Sequence, residues 1–250
     1  HGGNNDGNLF LLDGNPLYQV NHLGGIFSAF NTDIIKTVDF YKSGFPARYG
    51  GRLSSIVDVR TNDGDMQAFH GTFSIGLLDG RVQLEGPIVK NKTSFNIAMR
   101  RSWADLFTAT AFGLRSLSIK HDHLNGRYSF QDINAKVTHR FSNQSRLYLS
   151  FYSGNDYMKI RNKSSEEKSI RDEKEEKDQK FKWGNITTSL NWNYVFSPKL
   201  FSNLTVVYSK NKSNYIYYKD YRLYDENGRE KEVNHTKASI YSSINDIGYR

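Results

Sequence analysis

Phe181-Lys182-Trp183-Gly184-Asn185-Ile186-Thr187-Thr188-Ser189-Leu190-Asn191-Trp192-Asn193-Tyr194-Val195-Phe196 (residues 181–196) decides the fold class. On an extended chain Ile186, Leu190, Trp192, Tyr194 and Phe196 fall on one side. Asn185, Thr187, Ser189, Asn191 and Asn193 fall on the other, a face of amides and hydroxyls. The segment exceeds the five or six residues of an ordinary strand, and a tilted strand needs about 9–11 residues to cross a bilayer. Working outward, Ser197-Pro198-Lys199 reads as a tight turn. The stretch from Leu200 to Tyr218 then repeats the pattern, with Leu204, Val206 and Tyr208 opposite Asn203, Thr205 and Ser209.

The same period of two runs back to about Met66. Phe69, Phe73, Ile75 and Leu77 oppose His70, Thr72 and Ser74; Val82, Leu84 and Ile88 oppose Arg81, Gln83 and Glu85. Phe95, Ile97 and Met99 oppose Ser94, Asn96 and Arg100; Ile133, Ala135, Val137 and Phe141 oppose Asn134, Lys136, Thr138 and Arg140. With Leu147-Leu149-Phe151 and Ala238-Ile240-Ile244, about eight strands are expected. Lys90–Thr93, Ser142–Ser145 and Ser197–Lys199 are tight turns, whereas Ala104–Arg127, Asn162–Lys180 and Asp220–Asn234 read as long polar loops. Short connections on one side and long ones on the other suit an outer-membrane barrel, as do aromatics such as Trp183, Trp192, Tyr194, Phe196 and Phe201 near strand ends. Ser164–Lys180 mixes Glu, Asp and Lys without an apolar stripe and reads as a solvated outer loop.

Residues 1–66 have a different texture, rich in glycine and short turns. Leu9–Leu12, Val38–Tyr41 and Ile56–Val59 read as strands bounded by Asp-Gly, Ser-Gly and Asn-Asp-Gly turns, with a loop from Asn15 to Thr32 between them. The 250 residues carry a net charge of +8, but it is scattered rather than gathered into a stripe, which argues against nucleic acid. The absence of cysteine excludes disulfides, thiolate metal sites and a Cys nucleophile. No apolar run is long enough for a transmembrane helix, and His1-Gly2-Gly3-Asn4-Asn5 does not open a signal peptide. No Ser/His/Asp or paired-carboxylate arrangement points to an enzyme. His121-Asp122-His123 lacks a third ligand and reads as a loop cluster rather than a metal site.

Leu11-Leu12-Asp13-Gly14-Asn15-Pro16 resembles a strand and turn in the plug of TonB-dependent outer-membrane receptors. Asn31 to Val59, containing Lys42-Ser43-Gly44-Phe45-Pro46-Ala47-Arg48-Tyr49-Gly50-Gly51-Arg52, is similar to that family's second plug signature, with its first glycine slightly shifted. Phe69–Gly76, Leu84-Glu85-Gly86-Pro87 and Arg100-Arg101-Ser102-Trp103 resemble the barrel start of the subgroup that includes polysaccharide-uptake transporters. The resemblance implies a mainly β fold: the C-terminal part of a small mixed α/β plug over residues 1–66, then the first antiparallel strands of a large, incomplete transmembrane barrel over 67–250. It further implies import of a scarce nutrient at the bacterial outer membrane, with energy coupled through TonB via a segment absent from this chain; glycan, peptide, siderophore and cobalamin are all open, and the subgroup resemblance puts glycan or oligopeptide ahead. Outer-membrane lipid and a surface lipoprotein are the other partners it suggests, and it implies no cofactor. A partial barrel leaves unpaired edges, so the fragment is not expected to transport alone.

Three groups of candidate residues follow. Tyr18, Asn21, His22, Phe27 and Phe30 lie in the loop that the resemblance brings to the ligand, with Phe27 and Phe30 equally readable as small-domain core. In Arg48, Tyr49, Gly50, Gly51 and Arg52, the glycines supply positive φ for a turn. Tyr49 and Arg52 offer hydrogen bonds that can pin plug to barrel. Arg81, Glu85, Arg100, Lys136 and Arg140 share the polar face, where they either steer a solute or hydrate the lumen and salt-bridge to the plug. Two other architectures compete: a secreted carbohydrate-binding β-sandwich using Tyr215-Ile216-Tyr217-Tyr218 as a sugar platform, and a porin without a plug, which leaves residues 9–60 unexplained.

Overall fold

A computed structural model describes residues 7–42, 44–46, 49, 54–118, 122–168 and 171–249. The first part is a small module. Strand β1 (Asn8–Leu12) turns through Asp13-Gly14 into β2 (Asn15–Pro16). Both turn residues have positive φ, 48° and 85°, the conformation that closes a two-residue hairpin and that Asp-Gly favours. After the short pair β3 (Asn21–His22) and β4 (Phe27–Ser28) come β5 (Ile35–Tyr41) and β6 (Ser55–Thr61). The sheet order is β2-β1-β6-β5, with β1 parallel to β6. Leu12, Leu17, Ala29 and Val59 form one buried cluster, and Leu11, Tyr49 and Ile56 another.

The second part is one eight-stranded antiparallel sheet in which every strand pairs with its sequence neighbours. It comprises β7 (His70–Ile75), β8 (Asp79–Val89), β9 (Thr93–Ser102), β10 (Asp122–Arg140), β11 (Ser145–Lys168), β12 (Arg171–Ser197), β13 (Leu200–Tyr224) and β14 (Glu230–Tyr249). The expected alternation is realised on both faces of β8 to β13, but on β14 it is reversed: the register sets Ser243 outward beside Lys212 and turns Ile240 and Ile244 inward beside Tyr215 and Asn211. Ser94, Asn96, Arg100, Asp132, Asn134, Lys136, Thr138, Asn185, Thr187, Ser189 and Ser209 are all buried on the face turned to the module. The opposite face exposes Leu84, Ile97, Met99, Ile133, Leu149, Phe151, Leu190, Trp192, Leu204 and Val206. Side chains from six successive strands, β8 to β13, touch the module from one side. At about 4.8 Å per strand, a sheet that wide reaches so small a body only by curving round it.

The structure corrects three expectations. The stretches read as long loops, Asn162–Lys180 and Asp220–Asn234, are mostly strand: β11 to β13 contain 24, 27 and 25 residues and run on past the apolar region. Their charges are arranged as cross-strand pairs. Arg161 lies 3.2 Å from Asp178, Lys163 3.1 Å from Glu176 and Lys219 2.5 Å from Glu175. Opposite charges on facing strands favour pairing without any apolar stripe, which is why a reading by hydropathy took this region for a loop. Ala104–Arg127 is likewise not a polar loop, because α1 (Ala104–Ser118) occupies most of it and packs Phe112 over Gly126. Finally, strands of 19 to 27 residues in one sheet exclude the sandwich of short strands in two stacked sheets. Tyr215 and Tyr218 fall on opposite faces, so they form no single platform.

Candidate functional site

The seam between module and sheet holds most of the buried charge. At its centre is His22 on β3, 2% exposed. Its Nδ1 lies 2.8 Å from Asp156 Oδ2 on β11, and its Nε2 lies 3.1 Å from Asp132 Oδ1 on β10, in ion-pair range though off the line of a good hydrogen bond. The imidazole stacks on Phe130 with ring centres 4.2 Å apart and planes 5° apart. Arg100 on β9 reaches Asp132 through Nε at 2.8 Å and Nη2 at 2.5 Å, and the same Nη2 donates to the Ser28 carbonyl at 2.6 Å. The hydroxyl of Tyr152 donates to Asp132 Oδ1 at 3.0 Å. The hydroxyl of Tyr128 donates to Asp156 and accepts from the Leu23 backbone N–H at 2.7 Å. Gln19 adds a 3.0 Å bond to Asp156.

Charge balance explains the arrangement. Two carboxylates with one guanidinium leave one negative charge buried, which is costly without a partner. A protonated His22 supplies it. Burial by itself pushes the His22 pKa down, but the Asp132 and Asp156 carboxylates beside its two ring nitrogens outweigh it and raise the pKa to about 9. A group whose pKa is raised on folding contributes its stability fully below its free value, near 6.5, and loses it as pH rises through about 9. The melting temperature is therefore expected to fall between about pH 7 and pH 9.5 in the wild type. In His22→Gln that slope should be much flatter. Equal slopes in the two proteins would show that His22 is not the titrating group.

A second tie lies toward the tight turns. Lys136 on β10 contacts Asp63 Oδ1 at 3.0 Å, Asp13 Oδ1 at 3.2 Å and the Thr61 carbonyl at 2.9 Å. Lys36 lies 2.5 Å from Asp63 Oδ2. Burial raises the Asp63 pKa, but Lys136 and Lys36 together bring it below the ordinary carboxylate value. Arg81 on β8 meets Asp33 at 3.1 Å. Backbone carbonyls of the module are also captured, Gln19 by Asn185 at 2.8 Å and Pro16 by Ser209 at 2.9 Å. Beside this tie lies a polar cavity of about 520 Å³ lined by Asp13, Tyr49, Lys136, Asn191, Asn193 and Thr205; at its edge the Asn191 amide donates to the Asp13 carbonyl at 3.4 Å.

The loop residues read as ligand contacts are thus mostly spent on the seam. His22 is locked between carboxylates and cannot reach a solute. Phe27 packs with Ala104, Tyr128 and Phe130, and Phe30 packs against Leu12 and Tyr152, so both are core. Asn21 is exposed and Tyr18 half-buried. The Tyr49 hydroxyl donates to Asp58 at 2.9 Å, a bond inside the module rather than to the barrel wall. Arg48, Gly50, Gly51, Arg52 and His121 lie outside the described residues. All five charges of the polar row face inward, and three of them, Arg81, Arg100 and Lys136, bind the module, which favours the salt-bridge reading over solute steering. Glu85 and Arg140 make no side-chain bond to the module among the described residues. The sequence reading missed Asp132, Asp156, Tyr128 and Tyr152. Their signal was parity, since Asp132 sits in the same alternating row as Lys136 and directly opposite Arg100.

No protein-family model and no curated protein matches this sequence. Its backbone is similar to solved structures of the siderophore receptor PirA from Acinetobacter baumannii, with TM-score 0.43, 13% identity, and coverage of 97% of this chain and 51% of that one. PirA from Pseudomonas aeruginosa gives TM-score 0.40 at 12% identity, with 98% and 50% covered. A mutant of the Pseudomonas aeruginosa ferric enterobactin receptor PfeA, in complex with enterobactin, gives 0.39 at 10% identity, with 97% and 51% covered. The chain spans about half the length of the solved structures it matches.

Proposed function

We propose that this chain is the plug-and-barrel part of a TonB-dependent outer-membrane transporter, residues 1–66 belonging to the plug and 67–250 to the barrel. The observation that carries the reading is the outward face of the large sheet. On β10 the apolar row from Ile133 to Phe141 spans eight residue steps, roughly 26 Å along the strand at 3.3 Å per residue. It is interrupted by His139, whose ring packs edge-on to Phe141 and bonds the Thr93 hydroxyl. Matching rows on β9, β11, β12 and β13 make a continuous exposed apolar face. A row of this length falls within the about 9–11 residues that a tilted strand needs to cross a bilayer, and the extent of the face is far beyond what water-soluble proteins leave bare. The polar seam supports the plug assignment, because a body held by hydrogen bonds and ion pairs can be released into water, where these groups are solvated again. The chain does no covalent chemistry in this reading; it admits a solute when energy delivered through TonB rearranges the plug. A glycan or oligopeptide as that solute, and a lipoprotein partner, rest on the motif resemblance alone.

Because the chain has no cysteine, single cysteines can test the topology. Cysteines at Phe151 and Leu190 are expected to resist a water-soluble maleimide in intact outer membranes. Substituted at Asn193, beside the polar cavity, cysteine should label once the membranes are permeabilised. Rapid labelling at Phe151 and Leu190, in a protein that stays in solution without detergent, would sink the transporter reading.

A further inference from the structure

Just beyond the apolar face, toward the long strand ends, the outward surface changes sign. The first two side-chain rows there run across the strands from Arg101 to Ser243 and from Ser129 to Tyr241, and neither contains a carboxylate. They frame a groove of about 530 Å³. Its floor is Gly184, where an added Cβ would lie 2.3 Å from the Gly154 carbonyl oxygen and 2.6 Å from Asn155 Oδ1, so a side chain would both clash and fill the groove. Lys212 borders Gly184 on β13, and Lys182 stands one row further up with its Nζ 5.4 Å from the centre of the Tyr157 ring. Arg101 closes one end while engaging Asp105 at 3.2 Å. Gln131, Asn155 and Asn214 supply amides between these cations. Asp156 also lines the groove, but its carboxylate turns to the inner face, where His22, Gln19 and Tyr128 hold it. In the outward rows beyond, the next carboxylate is Asp178, already paired with Lys159 at 3.4 Å and Arg161 at 3.2 Å.

We propose that this groove seats the phosphate of a phosphorylated glycolipid in the outer leaflet, its acyl chains lying along the apolar face below. Two lysines with no ion pair among the described residues, an arginine and three amides match a phosphate monoester that carries close to two negative charges and several acceptor oxygens. The position matches as well: the groove adjoins the apolar rows at Met99, Ile133 and Ile186, where a lipid headgroup would lie. Each basic side chain near an anionic membrane surface contributes on the order of 1 kcal/mol. Removing two charges is therefore expected to weaken binding about tenfold or more.

The assignment rests on the apolar face lying in a bilayer, and the test separates the two. The intact protein is placed in phosphatidylcholine nanodiscs containing diphosphoryl lipid A, and retained lipid is read by native mass spectrometry. Wild type should retain lipid A in preference to phosphatidylcholine. Lys182→Gln/Lys212→Gln should lose about tenfold in apparent affinity, and Lys199→Gln, at the far end of the sheet, should not. Equal retention by the double variant, or no preference for lipid A in an inserted protein, overturns the groove and leaves the membrane reading standing. Failure to insert removes both.

Discussion

Asp132→Ala is expected to destabilise the docked module by about 3–5 kcal/mol, the cost of removing one partner from a buried ion pair. Asp132 is the carboxylate that links Arg100 and His22 at the seam. Asp132 accepts two bonds from Arg100, one from Tyr152, and faces His22, and its carboxylate is fully buried. Truncation leaves the Arg100 guanidinium, at 8% exposure, with only the Ser28 carbonyl. Hydrogen exchange across Asn21–Phe30 should accelerate strongly, because β3 and β4 pair through only two residue positions and depend on the seam. Arg100→Ala in the same background should cost less than it does alone, since the charge it removes is already unpaired. Unchanged exchange in Asp132→Ala would mean that packing, not this charge cluster, holds the module.

Leu190→Arg should cost about 2–4 kcal/mol if the outward face lies in lipid. Leu190 is 40% exposed in the isolated chain and sits mid-row, opposite Leu149 on one side and Val206 on the other. In water an arginine there would be nearly neutral, because a half-exposed surface site tolerates charge. The control is Asn193→Arg, three residues along the same strand and on the opposite face, where the polar cavity accepts the new side chain. Its expected cost is under about 1 kcal/mol. Unfolding titrations in detergent and folding yields in lipid vesicles read both variants. Equal, small costs would show that the apolar rows face neither lipid nor a protein core.

The two cases differ in how far the sequence reaches. Which residues point outward on β8 to β13 was legible residue by residue, because side chains on a strand alternate whatever the strand pairs with. The Asp13-Gly14 hairpin was legible for a similar reason, since the turn conformation belongs to those two residues. The apolar row, the polar row and the tight turns are therefore properties of local chemistry. The charged strand ends were not legible, because Arg161 and Glu176 support strand only once each faces the other. The helix Ala104–Ser118 was also missed, having been read as part of a polar stretch although its first turns are largely apolar.

The seam needed the tertiary structure. His22 and Asp156 are 134 positions apart, and Arg100 and Asp132 32 apart, so their meeting depends on strand order, register and where the module settles. His22 and Arg100 each looked able to reach a solute, because an isolated polar side chain carries no mark of what will bury it. Local alternation determined that one face of this sheet would be apolar and the other polar. Only the folding of a small module against the polar face decided that its charges would be spent on holding two parts of one chain together, because pairing across that distance is a property of the whole topology.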